Sequence, residues 1–162
     1  EESELNLRET LEGAAQKELP RSQAKGVRLI VRLEENLPSL VLGDAVRLEQ
    51  VVRHLLRNAV GFTPTGEVEL IAAAEPDPAG RMMLSVQVRD TGIGIPPEQL
   101  EVIFEPFRQL EGGLGRDHPG LGLGLAVVKK LVDLMQGEIT AQSQPGKGSL
   151  LKFRIPLRAS AS

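Results

Sequence analysis

The sequence of 162 residues contains no cysteine, tryptophan or tyrosine, and only two histidines and four phenylalanines. Without cysteine the chain cannot form disulfides, thiolate metal sites or a cysteine nucleophile, and two histidines argue against a structural zinc site. The scarcity of aromatic side chains leaves no base-stacking platform, and the net charge of −3 argues against a general nucleic-acid binder. No stretch approaches the roughly 18 consecutive apolar residues of a membrane-spanning helix.

The residues that are present have the composition of one globular domain, with 41% hydrophobic and 25% charged side chains. Apolar residues at helical spacing, together with a proline pair that can begin a short helix, predict helices at residues 7–24, 45–60, 96–103 and 122–135. Pro20 is expected to interrupt the first helix, and Asp44 to cap the second. Alternating apolar residues predict strands at residues 27–33, 67–74, 82–89, 138–142 and 149–155.

Helices mixed with mostly antiparallel strands, without regular βαβ alternation, predict an α/β (α+β) fold built as a two-layer α/β sandwich. We expect one domain over residues 1–157. Residues 37–43 are predicted to be a connection, 105–119 a mobile loop and 158–162 a disordered tail.

The 17 glycines form three groups, at residues 90–94, 120–124 and 146–148. Each group alone is consistent with a turn. Glycine costs a helix about 0.5–1 kcal/mol relative to alanine, so three glycines where a helix begins suggest that backbone N–H groups closely approach a ligand. Free N–H groups at a helix N-terminus suit phosphate. The P-loop and the dinucleotide-binding motif both require other spacings.

Five short motifs follow one another along the chain. Asn58 lies within residues 49–64, and after it come Asp90-Thr-Gly-Ile-Gly94, Ile103-Phe-Glu-Pro-Phe107, Gly120-Leu-Gly-Leu-Gly-Leu125 and Gly146-Lys-Gly-Ser149. Their order, over residues 4–157, resembles the N, G1, F, G2 and G3 boxes of the catalytic ATP-binding domain of sensor histidine kinases. The resemblance implies the Bergerat fold, with helices on a mixed and mostly antiparallel sheet. It also implies binding of ATP or ADP with Mg²⁺ and donation of the γ-phosphate to a histidine.

The resemblance places the adenine pocket at the second motif. Asp90 would accept a hydrogen bond from the amino group of adenine, and an ionised carboxylate is a strong acceptor. Gly92 and Gly94 would form the wall against which the flat ring lies. Without the resemblance, Asp90 fits the start of an ordinary turn equally well.

The other motifs would provide the metal and phosphate contacts. Asn58 would hold Mg²⁺ through its amide oxygen, because Mg²⁺ prefers oxygen ligands and keeps several waters. The alternative for Asn58 is an ordinary solvated helix asparagine. Asn58, His54 and Arg116 are the candidates for catalytic roles. Further nucleotide contacts are expected from Gly120, Gly122, Leu123, Gly124, Leu125 and Ser149.

Residues 108–119 would form a lid over the nucleotide. Arg108 and Arg116 are its candidate γ-phosphate contacts, and solvated surface positions are the alternative for both. Phe104 and Phe107 are expected to anchor the lid by packing.

Three positions differ from the usual kinase pattern. His54 stands where the kinases carry a second asparagine, Gly61 where they carry a lysine that neutralises phosphate, and Leu121 where threonine or serine is frequent. Gyrase-like and chaperone ATPases carry a catalytic glutamate at the position of His54, so its absence argues against a hydrolytic ATPase. These departures keep open the alternative of a degenerate kinase domain that acts as a non-catalytic regulator through protein contacts.

Neither His54 nor His118 lies in a segment resembling a phospho-accepting helical hairpin. The resemblance therefore implies that the acceptor histidine lies on a separate dimerisation domain of the same protein, and the chain alone is not expected to autophosphorylate. It further implies a homodimeric parent protein and a response regulator receiver domain as a partner. The domain itself is expected to be cytoplasmic, without contact to nucleic acid or membrane.

Overall fold

The computed structural model describes residues 3–95, 103–104, 125–144 and 146–159. The helices in these ranges are α1 (Leu7–Lys25), α2 (Ala45–Gly61) and α3 (Leu125–Leu134). The strands there are β1 (Ser3–Asn6), β2 (Val27–Leu33), β3 (Leu40–Gly43), β4 (Gly66–Pro76), β5 (Met82–Asp90), β6 (Glu138–Gln144), β7 (Gly148–Pro156) and β8 (Arg158–Ala159). The predicted short helix at 96–103, apart from Ile103, and the predicted loop at 105–119 lie outside the described residues.

A five-stranded sheet carries the helices and has the order β2-β4-β5-β7-β6. β2 and β4 are parallel, and the other neighbouring strands are antiparallel. Because side chains alternate between the two faces, the register places Val88 of β5 beside Leu70 of β4 and Leu151 of β7, all three buried. These residues meet the buried faces of the helices, which confirms the predicted two-layer arrangement.

The second helix lies over the centre of this sheet and begins where the sequence predicts. The Asp44 side chain accepts a hydrogen bond from the Arg47 N–H at 3.0 Å, which satisfies one of the free donors at the helix N-terminus. The buried face of α2 is apolar, and its residues include Val51, Val52 and Leu55. Asn58 is buried in the last turn of the same helix.

The expectation that Pro20 interrupts the first helix was wrong, since α1 continues through it to Lys25. Pro20 lacks an N–H and therefore leaves the carbonyl of Gln16 without its helical partner. Both residues are exposed, so water can solvate that carbonyl. Glu18 and Ser22 on the same helix are buried, and this packing holds both sides of the proline in the helix.

A second, three-stranded sheet, β1-β3-β8, was not predicted. β3 lies in the stretch 37–43 expected to be a connection, and β8 lies in the expected disordered tail. The register pairs Leu5 with Val41, and both are buried against the main core. Residues 158–159 pair with β3, whereas 160–162 lie outside the described residues.

Candidate nucleotide-binding site

Asp90 is the last residue of the central strand β5 and one of the few buried carboxylates, with 4% of its surface exposed. The Gly92 N–H donates to its Oδ1 at 2.9 Å, and the Ser149 hydroxyl donates to its Oδ2 at 2.6 Å. Ser149 is its partner in the neighbouring strand β7, so the sheet register brings the second and fifth motifs together. Both carboxylate oxygens are therefore held in fixed positions.

Burial raises the pKa of Asp90 above its ordinary range, because the interior disfavours the charged form. The hydrogen bonds from Ser149 and Gly92 oppose this rise, since they stabilise the carboxylate. The site thus contains a carboxylate that is poorly solvated by water. A hydrogen-bond donor on a ligand would bind strongly to it.

The loop after β5 is fixed against the end of α2. The Ile93 N–H donates to the Phe62 carbonyl at 3.1 Å. A Cβ atom at Gly92 would overlap that same carbonyl oxygen, so only glycine permits this approach. Gly94 has φ +79°, a conformation that glycine adopts without strain. The glycines predicted to line a pocket are therefore required for the chain to turn closely around Asp90.

The turn between β6 and β7 completes this side of the site. The Gly146 N–H donates to the Ile93 carbonyl at 2.7 Å, which joins the turn to the loop after β5. Gly148 has φ +109°, and a Cβ atom there would overlap the Asp90 carbonyl oxygen. Segments distant in the sequence, 90–94 and 146–149, thus form one closely packed unit with the end of α2.

Asn58 contributes a buried amide from the last turn of α2, with 7% of its surface exposed. Its Nδ2 has no hydrogen-bond partner within the described part of the chain. Buried polar groups are nearly always paired, so this amide is suited to a partner from outside the protein chain. The unpaired Nδ2 is a hydrogen-bond donor and suits an acceptor such as a phosphate oxygen, whereas Mg²⁺ would take the amide oxygen of the same side chain.

His54 lies one turn before Asn58 and is half-buried. Burial lowers the pKa of its imidazole, and the positive charges of Arg57 and Arg53 lower it further, while Glu18 opposes them. These effects together favour the neutral form of the imidazole. Both arginines are turned towards Glu18 of α1, with Arg53 Nε 3.1 Å from Glu18 Oε2 and Arg57 Nη2 3.6 Å from it.

Gly61, the last residue of α2, has open space around the position that a Cβ atom would take. Lys25 from α1 lies close by, and its Nζ donates to the carbonyl oxygens of Val60 at 2.7 Å and Gly61 at 3.2 Å. A cation at the C-terminus of a helix stabilises the helix dipole. Lys25 therefore neutralises the end of α2 close to the place where the kinases carry their lysine.

Several predicted site residues lie outside the described ranges. They are the lid at 108–119 with Arg108 and Arg116, Phe107, and the G2-box residues Gly120, Leu121, Gly122, Leu123 and Gly124. Leu125 begins α3 and is buried in the core, so any contact it makes with a ligand uses its backbone. Phe104 is half-buried and packs against the same core.

Two polar residues of the site were missed at the sequence level. Thr63 is fully buried and donates from its hydroxyl to the Ala59 carbonyl at 2.7 Å, beside Gly92. The Ser143 hydroxyl accepts from the Ile95 N–H at 2.6 Å and donates to the Gly148 carbonyl at 2.9 Å. Thr63 lies within the N-box stretch at residues 49–64, and this position could have identified it as a site residue. Ser143 lies in no motif of the sequence, so no such signal was present for it.

Within the described ranges, no helix has the length and apolarity needed to cross a membrane.

The layered fold and the convergence of the N, G1 and G3 boxes around Asp90 define the class of the protein as a candidate nucleotide-binding domain. Residues 43–159 match the family described as "Histidine kinase-, DNA gyrase B-, and HSP90-like ATPase", and the chain belongs to this family.

Known relatives within the family are sensor kinases. The chain is 40% identical over 157 residues to the sensor histidine kinase RcsC of Escherichia coli K12, an alignment covering 97% of this chain and 16% of RcsC. It is 37% identical over 151 residues to the signal transduction histidine-protein kinase BarA of the same organism, covering 93% of this chain and 16% of BarA. Full-length ShkA in complex with AMPPNP superposes with a TM-score of 0.80 at 32% identity, covering 99% of this chain and 32% of ShkA. The chain thus spans about a sixth of the curated relatives that it matches.

Proposed function

We propose that this chain is the catalytic ATP-binding domain of a two-component sensor histidine kinase. In this proposal it binds Mg-ATP and donates the γ-phosphate to a histidine on a separate dimerisation domain. The observation that carries the proposal is the buried Asp90 carboxylate, held by Ser149 and Gly92 at the end of β5. The sensor kinases among the relatives, and the AMPPNP-bound ShkA structure, support it.

Each part of the site has a role in this function. Asp90 accepts the adenine amino group, with Gly92 and Gly94 leaving room for the ring. Asn58 would hold Mg²⁺ through its amide oxygen, and the metal would supply positive charge that neutralises the phosphates. The glycine-rich G2 box precedes α3 directly in the sequence, and in this proposal its backbone N–H groups bind phosphate, as free N–H groups at a helix N-terminus can.

The function also implies partners, which we propose on the basis of the relatives' greater length. The first is the dimerisation and phosphoacceptor domain of the same protein, in a homodimeric parent. The second is a response regulator receiver domain, which takes the phosphate from the acceptor histidine. We infer that the domain works in the cytoplasm, where ATP is available.

Calorimetric titration tests the nucleotide function directly. ATP, ADP and GTP are each titrated into the domain with and without Mg²⁺, and we expect ATP and ADP to bind with clear preference over GTP. Transfer is then tested by adding the parent's own acceptor domain with radiolabelled ATP, and label is expected on that domain alone. Equal affinity for ATP and GTP would contradict the assignment of Asp90 to the adenine amino group.

The raised pKa of Asp90 predicts that ADP affinity falls as the pH is lowered, beginning above the ordinary titration range of an aspartate. The ligand's amino group needs an ionised acceptor, and protonation removes it. A carboxyl whose pKa is raised by folding stabilises the folded domain when it is protonated, so unfolding through this group does not explain the loss. ADP titrations at a series of pH values measure the effect. Asp90→Asn is the control, because it cannot titrate here, and an equal acid-dependent loss in both proteins would refute the prediction.

Because position 61 is a glycine, we expect the unmodified domain to discriminate little between ATP and ADP. The ratio of the two affinities should stay within roughly tenfold, or about 1.4 kcal/mol. A cation positioned at the γ-phosphate normally supplies much of this preference, and Lys25 is engaged with helix carbonyls instead. Gly61→Lys should widen the ratio in favour of ATP, since the position has open space. Gly61→Ala controls for the backbone change, and should leave the ratio unchanged. A hundredfold preference for ATP in the unmodified domain would show that another cation already acts there.

A further inference from the structure

A cavity of about 110 Å³ is lined by residues of both sheets and of the helix ends next to them. Its inner wall includes Leu5, Val41, Leu48 and Leu84, all of which are buried. Leu84 and Asp90 lie towards opposite ends of β5, so the rise along the strand separates them by roughly 20 Å. The cavity is therefore distinct from the candidate nucleotide-binding site.

The size and the apolar wall of the cavity indicate what kind of molecule fits it. Protein interiors are packed as closely as organic crystals, so a cavity of this size is unusual. The side chains that line it can gain dispersion contacts from an apolar ligand. An apolar cavity of about 150 Å³ binds benzene, and the slightly smaller cavity here suits an unbranched aliphatic tail of about four or five carbons.

The mouth of the cavity is charged. Arg47, Leu134, Gln136 and Arg158 line the cavity and are at least partly exposed, so they lie on its solvent side. Two arginines and Asp44 are the charged residues of the lining, which leaves an excess of positive charge. The N-terminus of α2 adds partial positive charge at the same place.

Arg47 is suited to bind an anion at this mouth. Asp44 accepts the Arg47 N–H at 3.0 Å through Oδ1, and its Oδ2 lies 3.5 Å from Arg47 Nε. The Arg47 side chain is 38% exposed, and an exposed ion pair of this kind contributes little free energy. The guanidinium group can therefore turn towards a ligand carboxylate, to which it offers two parallel N–H donors.

We propose that this cavity is a second ligand-binding site, which takes a short-chain aliphatic carboxylate. The tail of the ligand occupies the apolar cavity, and its carboxylate lies at the mouth against Arg47, with the charge of Arg158 close by. An alcohol of the same length lacks the ion pair, and the corresponding protonated amine is repelled by the positive mouth. This site does not depend on the proposed nucleotide function.

Two-dimensional ¹H–¹⁵N NMR titrations of the unmodified domain with hexanoate, hexan-1-ol and hexan-1-amine at pH 7 test the site without any substitution. We expect hexanoate to shift the amide signals of lining residues, such as Leu84 and Leu157, until they saturate. Hexan-1-ol should bind at least about threefold more weakly, and hexan-1-amine more weakly still. From propanoate to hexanoate the affinity should rise about fourfold per methylene, and it should stop rising with longer chains because the cavity is then filled.

Two pairs of variants locate the tail and the carboxylate of the ligand. Leu157→Trp should fill part of the cavity and abolish hexanoate binding, whereas Leu33→Trp, at a partly buried leucine outside the cavity, should not. Arg47→Gln should weaken hexanoate binding about two- to fivefold and leave hexan-1-ol unaffected. Arg28→Gln is its control, because this arginine is 75% exposed and does not line the cavity. Thermal unfolding of each variant verifies that it is folded.

The outcomes distinguish this site from the nucleotide site and from other occupants. Hexanoate should bind equally well with ADP present, and displacement by ADP or shifts confined to the surroundings of Asp90 would overturn the proposal. Equal affinities for hexanoate and hexan-1-ol would also overturn it, because the mouth would then not select a carboxylate. If none of the three compounds gives saturable shifts, the cavity takes no small ligand of this class, and the proposal is wrong. ADP binding, measured separately, decides the nucleotide function in every case.

Discussion

Replacing Asp90 with asparagine is expected to weaken ADP binding by about 1–3 kcal/mol and to reduce the preference for adenine over guanine. The carboxylate offers two acceptor oxygens, of which Oδ1 receives the Gly92 N–H and Oδ2 the Ser149 hydroxyl. An amide replaces one of these acceptors with a donor, which faces either a protein donor or the adenine amino group. Calorimetric titration of ADP and GDP into both proteins measures the change.

The structure supplies controls that separate binding from folding. Asp90→Asn removes a buried charge, so the free energy of unfolding at neutral pH should not fall by as much as the affinity does. Ser149→Ala keeps the carboxylate but removes its 2.6 Å hydrogen bond, and a smaller loss of affinity of about 0.5–1.5 kcal/mol is expected. If Asp90→Asn binds ADP as tightly as the unmodified domain, the adenine pocket lies elsewhere.

The helices and the five-stranded sheet could be predicted because their apolar residues repeat over several turns or strand positions. The strand Val27–Leu33 and the N-cap Asp44 were predicted to the residue. The three-stranded sheet was missed because its strands have four, four and two residues. Such short segments show no periodicity, and only the pairing of β3 with β1 on one side and β8 on the other makes them strands.

For the candidate site, too, the residues in short local motifs could be predicted, whereas those that depend on long-range packing could not. The order of the motifs brought Asp90, Gly92 and Asn58 to attention, since each lies in a short pattern readable along the chain. The hydroxyl of Ser143 and the buried Glu18 depend on register and helix packing, and their sequence neighbours do not predict them. Ser149 was identified in the sequence by its motif, which suggested a contact with the ligand. The structure adds that the sheet register brings its hydroxyl into a direct hydrogen bond with Asp90.

Gly148→Ala is expected to destabilise the domain by about 2–4 kcal/mol, from backbone strain and steric overlap together. Its φ of +109° is a conformation that residues with a Cβ atom rarely adopt, and forcing one there costs about 1–3 kcal/mol. The added methyl group would also overlap the Asp90 carbonyl oxygen, which belongs to the backbone and cannot move as a flexible side chain would. Relief of that overlap requires β5 and β7 to separate where Asp90 pairs with Ser149.

Gly146→Ala provides the matched control two residues earlier in the same turn. Gly146 has φ +81°, but nothing lies within 4 Å of the position of its Cβ atom, so this substitution carries the backbone cost alone. Chemical denaturation of both variants should therefore show a larger loss for Gly148→Ala. Because the overlap in Gly148→Ala falls on the residue proposed to bind adenine, that variant should also lose ADP affinity, whereas Gly146→Ala should retain it. Equal losses of stability in the two variants would mean that β5 and β7 are less closely apposed at Asp90 than the structure shows.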